Sequence, residues 1–353
     1  MAVKWKETTV NTNTGDQNAV APWIISASRA TDIPAYYSKW FFDRLAKGYV
    51  KWINPFNRLK PQYISFKNTK VIVFWSKNPA PIIPFLERLK DRKIACYFQF
   101  TVNDYVDENF EPNLPSLERR IETFKYLSQT LGKECVIWRF DPLLLSDRTE
   151  PDRLLEKIQK VGDILHPFTE KLVFSFADIA NYSKVQKNLK NQGINYREFY
   201  DADMRYIAEG ISDINRSRSW GLKAATCGEY AKFDEFDIEH NKCIDGDLIV
   251  RITEKQGRSS EFNKFLGRDP SVFSPLQGEL FKIDGSSKID DDEQNSKLKD
   301  KGQRKACGCI YSKDIGSYDT CLHGCVYCYA NSSPEAAQRN QEKISLDSEA
   351  LLS

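Results

Sequence analysis

The chain has 353 residues, of which 41% are hydrophobic and 28% are charged, and this composition is typical of a globular protein rather than a disordered or membrane-embedded one. Fifty-one basic residues nearly balance 49 acidic ones, so the net charge of +2 gives no support to a nucleic-acid partner. No apolar run approaches the roughly 18 residues of a membrane span. The polar stretch from Met1 to Gln17 does not resemble a signal peptide. We therefore expect a cytoplasmic protein with no membrane partner, while its oligomeric state is left open.

Short apolar, β-branched and aromatic segments alternate with longer helical patterns along the first two thirds of the chain. The predicted strands are Trp23–Ser28, Val71–Ser76, Ile94–Thr101, Cys135–Phe140, Lys171–Phe176 and Leu222–Cys227. Because they lack clean alternation, they favour parallel strands buried on both faces. The predicted helices are Tyr37–Tyr49, Pro81–Lys90, Ser116–Leu131, Pro151–Leu165 and Phe199–Ser219. Val50–Phe66 looks like a hairpin inserted between the first helix and the second strand.

Six β-then-α units in succession predict an α/β fold with a parallel sheet and right-handed crossovers. Two further strands, at Asp247–Ile252 and Cys309–Tyr311, would complete a TIM-like eight-stranded (β/α) barrel, and a six-stranded partial barrel is the competing closure. We assign residues 1–253 to the barrel. Residues 254–304, rich in Gly, Ser, Asp and Lys, are predicted to form a surface insertion or linker. Residues 305–353 form a cysteine-rich segment that we expect to pack on the barrel mouth.

Nine cysteines without an export signal argue against disulfides and for metal binding, because the cytosol keeps thiols reduced. Cys321, Cys325 and Cys328, called the triplet below, have the spacing C-x3-C-x2-C. Three thiolates this close can bind three irons of one 4Fe–4S cluster and leave the fourth iron without a protein ligand. A zinc site built from the same cysteines is the alternative.

Four other cysteines are interpreted together as a second metal site. Cys227, Cys243, Cys307 and Cys309, called the second cysteine group below, suit a closed second 4Fe–4S cluster or a structural zinc ion. The alternative is that they are unrelated small buried residues. Cys96 and Cys135 lie in strand patterns and are interpreted as core.

In a barrel the chemistry gathers at the carboxyl ends of the strands. The polar residues there are Arg29, Asp32, Lys77, Asn78, Gln99, Thr101, Arg139, Asp141, Asp178 and Glu229. Arg139 and Asp141 interrupt an apolar strand and alternate on one face, so they must be paired or exposed in a pocket. Arg139, Asp141 and Asp32 are the candidate catalytic residues, and Arg139 could hold a carboxylate or phosphate. A structural Arg–Asp pair is the main rival to substrate binding.

Several motifs resemble the bacterial domain-of-unknown-function family 1848. They are Ser26-Ala-Ser-Arg29-Ala-Thr-Asp32-Ile-Pro34, Asn54-Pro-Phe-Asn57, Val73-Phe-Trp75-Ser-Lys77-Asn78-Pro79, Trp138-Arg139-Phe-Asp141-Pro142 and Cys307-Gly-Cys309. In addition, Cys325-Val-Tyr-Cys328-Tyr-Ala is similar to the spore photoproduct lyase-like branch of the radical S-adenosylmethionine superfamily.

The second resemblance implies that S-adenosylmethionine chelates the open iron, with Tyr327 as the aromatic residue before the last ligand. It also implies a ferredoxin- or flavodoxin-type reductant and a polar small-molecule substrate in the barrel. The superfamily usually carries its triplet in the loop after the first strand, whereas here the triplet lies near the C-terminus. A glycine-rich stretch after the second strand usually holds the methionine amino group, and Lys77 and Asn78 occupy that place.

We therefore expect an iron–sulfur enzyme of the radical S-adenosylmethionine type. Two alternatives stay open. One is a binding or regulatory protein in which zinc or a fully ligated cluster staples the tail to the barrel. The other is a metal-independent barrel hydrolase that uses Asp32, Asp141 or Glu229 as acid and base.

Overall fold

The computed structural model describes residues 5–54, 57–266, 298–300, 303–304 and 306–352. The strands in chain order are β1 (Lys6–Thr12), β2 (Gly15–Ala21), β3 (Ile24–Ala27), β4 (Tyr49–Asn54), β5 (Asn57–Ser65), β6 (Val71–Ser76), β7 (Ala95–Thr101), β8 (Val136–Leu143), β9 (Leu145–Ser146), β10 (Lys171–Phe176), β11 (Tyr196–Arg197), β12 (Lys223–Thr226), β13 (Ile238–His240) and β14 (Lys313–Asp314). The α-helices are α1 (Ile33–Tyr36), α2 (Ser38–Lys47), α3 (Glu87–Asp91), α4 (Leu117–Leu131), α5 (Pro151–Leu165), α6 (Ser183–Asn191), α7 (Asp201–Ser217), α8 (Gly246–Glu254), α9 (Ser259–Phe265) and α10 (Pro334–Gln341).

Eight parallel strands form the main sheet, in the order β14-β3-β6-β7-β8-β10-β12-β13. The strands follow one another in chain order except β14, the last strand, which pairs in parallel with β3, the first. Within the described residues no ladder joins β13 to β14. The α/β class expected from the sequence is confirmed, while closure into a barrel stays a prediction.

The two faces of this sheet are covered differently. Helices α2, α4, α5 and α7 bury Phe41, Phe124, Ile158 and Ile207 in the larger apolar cluster, on what we call the outer face. A second apolar cluster occupies the other face, the inner face, and combines residues of the sheet with residues of α8 and of the cysteine-rich segment. Its members include Val73, Tyr97, Ile137, Val173, Ala225, Ile249, Cys243 and Cys309.

Side chains alternate along a strand, so the inner face can be followed toward the carboxyl ends of the strands. Val73 is succeeded by Trp75 and Lys77, and Tyr97 by Gln99. Ile137 is succeeded by Arg139 and Asp141, Val173 by Ser175, and Ala225 by Cys227. The inner face therefore changes from apolar to polar along every central strand, and its polar end lies where chemistry is expected in such folds.

All six strands first predicted are present, and so is the hairpin, formed by β4 and β5 in antiparallel pairing, although residues 55–56 at its turn lie outside the described residues. The Ser116 side chain caps α4 by accepting a hydrogen bond from Arg119 N at 3.4 Å, and Pro151 opens α5. The predicted helix Pro81–Lys90 is a 3₁₀ segment, Ala80–Phe85, followed by α3. The sequence reading missed α6 and the hairpin of β1 and β2, which joins β5 and β4 in a separate four-stranded sheet.

The prediction of a strand at Asp247–Ile252 was wrong, because this stretch is helix α8. Leu248, Ile249 and Ile252 are buried at helical spacing, and the Asp245 carboxylate caps the helix by accepting from Asp247 N and Leu248 N. The seventh strand is instead β13. Ile310 makes only an isolated bridge with Lys299, and the eighth strand is β14, slightly later than the predicted Cys309–Tyr311.

The predicted insertion 254–304 begins with an ordered element, because α9 places Phe262 in the inner apolar cluster. Residues 267–297 and 301–302 of this prediction lie outside the described residues. Near the C-terminus the tail is bound to the N-terminal part of the chain. Trp40 Nε1 donates to Ser348 O at 2.7 Å, and Lys51 N donates to Glu349 O at 2.8 Å. None of the helices in the described ranges is long and apolar enough to cross a lipid bilayer.

Candidate metal centre and polar site

The triplet lies in the loop that follows β14, at the carboxyl end of the sheet. Cys325 is buried, Cys321 and Cys328 are half-buried, and Cys328 N donates to Cys325 O at 3.1 Å. Burial raises the pKa of the Cys321 thiol to about 12, with the Asp32 carboxylate and Cys328 adding to the effect. Burial likewise raises the pKa values of Cys325 and Cys328, and both other triplet thiols raise that of Cys325 further. The thiols of the triplet are therefore electrostatically coupled, and their joint binding of one metal group stays a prediction.

A histidine inside the triplet loop, His323, joins this loop to the segment that follows β3. His323 Nε2 lies 2.6 Å from Asp32 Oδ2, and its Nδ1 lies 2.8 Å from Tyr36 Oη. Asp32 also accepts hydrogen bonds from Ser76 Oγ and from Lys77 N, both at 2.8 Å. The Asp32 carboxylate, predicted as a catalytic candidate, therefore binds His323 of the triplet loop and two groups at the end of β6. These hydrogen bonds hold the triplet loop in place.

A buried polar network lies on the other side of the triplet. Lys77 Nζ is 2.7 Å from Glu111 Oε1 and donates to Tyr327 Oη at 3.0 Å. Tyr327 also donates to Glu111, and Asn103 Nδ2 donates to Glu111 Oε1 at 3.1 Å. Burial alone would raise the pKa of Glu111, but Lys77 and Arg120 hold it below its usual value. Burial also opposes the charge on Lys77, yet Glu111 and Cys325 raise its pKa. The network is thus charged and places a cation beside Cys325.

The second cysteine group converges from four positions in the chain. The Sγ atoms of Cys227, after β12, and Cys243, after β13, are 3.4 Å apart. Cys309 makes a thiol contact with Cys243 and another with Cys307, and its Sγ accepts from Ile244 N at 3.3 Å. Asn241 Nδ2 donates to Cys243 Sγ at 3.2 Å. The structure therefore brings Cys227, Cys243 and Cys309 close to one another, and a shared metal site stays a prediction.

The same contacts join the two ends of the main sheet. Cys243 and Ile244 follow β13, whereas Cys309 and Ile310 precede β14. Besides the thiol contacts, Ile310 N donates to Ile244 O at 3.1 Å. A cleft of about 240 Å³ reaches Gln99 and Asn241 from the side of α8, and Asn241 contacts the Cys243 thiol directly.

Arg139 and Asp141 form a buried ion pair between the two cysteine groups. Arg139 is 4% exposed, and its Nη2 is 3.0 Å from Asp141 Oδ2. Arg139 Nη1 donates to Gln99 Oε1 at 3.0 Å and to Cys243 Sγ at 3.2 Å. Ser175 donates to the other oxygen of Asp141. Burial opposes ionisation of both groups, but each charge stabilises the other, so the pKa of Arg139 is raised and that of Asp141 is lowered.

These contacts are those of the structural pair considered as the rival to substrate binding, and a role of Arg139 in holding substrate stays a prediction. Asp141 is also influenced by Lys77, which lies beside the triplet. Three side chains of alternating charge, Lys77, Asp141 and Arg139, therefore lie between Cys325 and Cys243.

The donor chemistry of both cysteine groups fits a thiolate-bound metal or cluster, since each brings three or four thiols together with a cation at hand. The thiol contacts in the second cysteine group are pairwise, however. Across the described part of the chain, no three or more His, Cys, Asp or Glu side chains are already arranged to hold a metal ion. Side chains of either group would have to turn toward a common centre on binding.

The remaining predicted site residues are more dispersed. Asn78 is half-buried, and its backbone N donates to Ser76 Oγ at 3.0 Å. Asp178 bonds to neighbouring Asn181. Glu229 accepts from Phe176 N at 3.1 Å, and burial raises its pKa to about 7. The sequence reading missed Glu111, Asn103, Ser175 and Asn241, which come from loops or strand ends whose polarity looks ordinary in sequence.

Comparison with known proteins gives one family. The family with the description "Domain of unknown function (DUF1848)" matches residues 24–330, which include the whole main sheet and both cysteine groups. No curated protein and no solved structure matches the chain.

Proposed function

The chain belongs to the DUF1848 family, and on that premise we propose that it is an iron–sulfur protein, with a radical S-adenosylmethionine-type activity on a polar small molecule. In this proposal the triplet holds a 4Fe–4S cluster and the second cysteine group holds a second cluster or a zinc ion. The substrate binds at the polar end of the inner face, between the two.

One observation carries the proposal, namely the position of the triplet in the spatial order of strands. The triplet is late in the sequence, but its loop follows β14, which is the edge strand beside β3. Counted from that edge, the strands run β14, β3, β6, β7 and onward without interruption. The triplet therefore follows the first strand in space, as the resemblance to radical S-adenosylmethionine proteins requires, and its late place in the sequence amounts to a circular permutation.

The same count changes which residues would meet the methionine end of the cofactor. The second strand in space is β3, so the segment Ser28–Asp32 takes the place that the sequence order gave to Lys77 and Asn78. Asp32 supports this assignment, because its backbone and side chain both act on the Cys321 thiol. Lys77 and Tyr327 are then neighbours of the cluster, and Lys77 supplies positive charge to it.

Such a cluster, if bound and reduced, would supply one electron to break a carbon–sulfur bond of S-adenosylmethionine, giving methionine and the 5′-deoxyadenosyl radical, which would take a hydrogen atom from the substrate. The chain's own residues bind, orient and shield. The His323–Asp32 and Lys77–Glu111 pairs fix the triplet loop, and the Arg139–Asp141 pair separates the two cysteine groups. The electron would come from a ferredoxin- or flavodoxin-type reductant.

We also propose that the sheet closes as a barrel. The contacts of Cys243 with Cys309 and of Ile244 with Ile310 support this, because they bring together the segments next to the two edge strands. The same contacts favour a second candidate function, in which a zinc ion or closed cluster in the second cysteine group only staples the tail to the barrel. The hydrolase alternative has less support, since Asp141 is paired with Arg139, and Asp32 is hydrogen-bonded to His323, Ser76 and the Lys77 backbone. Glu229 is left as its candidate, and burial raises the pKa of this carboxyl to about 7.

The test is anaerobic purification with iron and sulfide analysis and an absorption spectrum, for the wild type and two multiple-alanine variants. One variant replaces Cys321, Cys325 and Cys328, and the other replaces Cys227, Cys243 and Cys309. The proposal predicts loss of a cluster from the first variant, and loss of a second cluster or of zinc from the other. Cys96→Ala and Cys135→Ala are the matched controls, because these strand cysteines belong to neither group. Iron content that is unchanged by the triplet variant would contradict the proposal.

A further inference from the structure

Hydrogen bonding separates the two arginines beside the second cysteine group into one that is saturated and one that is open. Arg139 donates to Asp141, Gln99 and Cys243, so its fork of N–H groups is directed at protein partners. A ligand could reach it only by displacing the Asp141 carboxylate. Arg139 is therefore a poor choice for the residue that receives a substrate.

Arg29, which follows β3, is in the opposite situation. Its guanidinium lies over the Trp75 ring, 4.9 Å from the centroid, and Trp75 belongs to the inner face. Its Nη2 atom is shielded from solvent and has no hydrogen-bond partner within the ranges that the structure describes. Burial lowers the pKa of this guanidinium, but Cys309, Asp314 and Cys243 raise it above the ordinary value, so it stays charged. A buried charged donor without a partner destabilises the fold, and such groups are kept where something else binds them.

The nearest strand carboxylate, Asp314, is committed elsewhere. Its Oδ2 accepts from Ser26 Oγ at 2.5 Å and from the backbone N of Arg29 at 3.0 Å. Its Oδ1 accepts from Gly316 N at 2.8 Å. Asp314 thus fixes the backbone of Arg29 and is not an acceptor for Nη2 of the side chain.

An aromatic rim borders the approach to Arg29. Tyr329 Oη donates to Arg29 O at 3.0 Å, and the Tyr329 ring, 45% exposed, lies 5.8 Å from Tyr182 and 6.5 Å from Tyr318. Arg304 Nη2 donates to Tyr182 Oη at 2.7 Å, which places a second guanidinium on the same rim. The rim is cationic and aromatic, so it suits an anion better than a cation.

We propose that Arg29 binds an oxyanion, either a carboxylate or a phosphate, of the molecule that acts at the polar end, and this inference rests on the proposed function only in naming that molecule as the substrate. The planar fork of a guanidinium matches two oxygens of either group. A neutral ligand could accept from Nη2 but would not complement the positive charge of the guanidinium. The competing role for Arg29 is to neutralise the thiolates of the second cysteine group.

Phenylglyoxal, which modifies accessible guanidinium groups, separates these roles when the adducts are located by peptide mass spectrometry. Arg29 should react in an anion-free buffer, and inorganic phosphate or acetate should protect it. For a Kd of about 1 mM, about 10 mM of the ion should slow modification about tenfold, because only the unoccupied fraction reacts. Exposed Arg119 should react equally with and without the ion, and Arg139 should react in neither case. If phosphate protects Arg29, the oxyanion is a phosphate; if acetate protects it, the oxyanion is a carboxylate.

Failure of both ions to protect Arg29 would overturn the inference, and so would an Arg29 that never reacts, since a guanidinium closed to the reagent is closed to a ligand. As a second measurement, Arg29→Gln should abolish the rise in Tm that the protecting ion gives to the wild type. Iron and zinc are measured on the same samples before and after metal removal. Protection of Arg29 in protein that never bound metal would uphold the oxyanion site while contradicting the cluster. Metal binding without protection of Arg29 would support the cluster and contradict the oxyanion site.

Discussion

The triplet and the second cysteine group are built in opposite ways. The triplet occupies one loop of eight residues, Cys321 to Cys328. It is held from outside by the hydrogen bond between His323 and Asp32 and by the ion pair of Lys77 with Glu111. The second cysteine group draws on the ends of β12 and β13 and on the segment before β14, and its thiols contact one another directly. The triplet is thus a local motif supported by a polar network, whereas the second cysteine group is itself a support between distant parts of the sheet.

The largest difference should appear when each group is removed. Replacing Cys243 and Cys309 together by Ala should lower the free energy of unfolding of metal-loaded protein by more than about 3 kcal/mol, because binding to a site absent from the unfolded chain is folding free energy. The triplet variant should lose less free energy of unfolding, because the hydrogen bond between His323 and Asp32 and the ion pair of Lys77 with Glu111 remain in place. Urea unfolding of both variants and of Cys96→Ala measures this. Equal losses would erase the distinction between the two groups.

The next effect concerns the pair between the groups. Arg139→Ala should cost about 3–5 kcal/mol, because it leaves Asp141 buried without its counterion. The double variant Arg139→Ala with Asp141→Ala should recover part of that loss. Thermal melts with metal analysis provide the measurement. If Arg139→Ala melts at the wild-type temperature but no longer binds ligand, Arg139 binds substrate rather than stabilising the fold.

A smaller, pH-dependent effect should come from the network beside the triplet. Because the pKa of Glu111 is lowered in the folded protein, its stabilising contribution is complete above the ordinary value of 4.5 and is lost as pH falls through the lower folded value. Glu111→Gln should therefore have a lower Tm than the wild type at pH 7. The difference in Tm between the two proteins should narrow below about pH 4.5. Melting curves from pH 3 to 7 test this. A gap independent of pH would mean that the Glu111 charge contributes nothing.

The smallest effect should come from the backbone of the triplet loop. Gly324 has φ +69°, and an added Cβ would lie 3.0 Å from Asn113 Nδ2. Gly324→Ala should cost about 1–2 kcal/mol from the left-handed conformation, plus any shift of Asn113. Gly221→Ala is the matched control, because Gly221 has φ +65° and nothing within 4 Å of the added atom. Equal losses in the two variants would mean that Asn113 adjusts without cost.

The strands and the sites were predictable to different degrees, for physical reasons. The six central strands could be read because parallel strands buried on both faces are continuously apolar. Helix α8 was mistaken for a strand because a short apolar run carries no decisive period, and its capping residue Asp245 was overlooked. Strands β13 and β14 have three and two residues, too few for a pattern, and their place is set by neighbours distant in sequence.

The candidate site divides in the same way. The C-x3-C-x2-C spacing suggested the triplet, and the C-x-C beside it suggested the second cysteine group. The thiols of Cys227 and Cys243 do lie 3.4 Å apart, while metal binding by either group stays a prediction. The support for these cysteines was not predictable. Glu111 lies in a loop of ordinary composition, and its role depends on Lys77 and Tyr327, which are 34 and 216 residues away.

The pairing of β14 with β3 has a consequence for how the protein is made. The hydrogen bond between Ser26 and Asp314 joins residues 288 positions apart. At about 5–20 residues per second, a ribosome needs about 15–60 s to produce the second after the first. During that time the edge of β3 is an unpaired strand of apolar residues, the kind of edge that associates with other chains. A truncated transcript or a protease cut that removes the last fifty residues would leave the edge of β3 permanently unpaired. Truncated chains should therefore be recovered as aggregates rather than as smaller folded proteins.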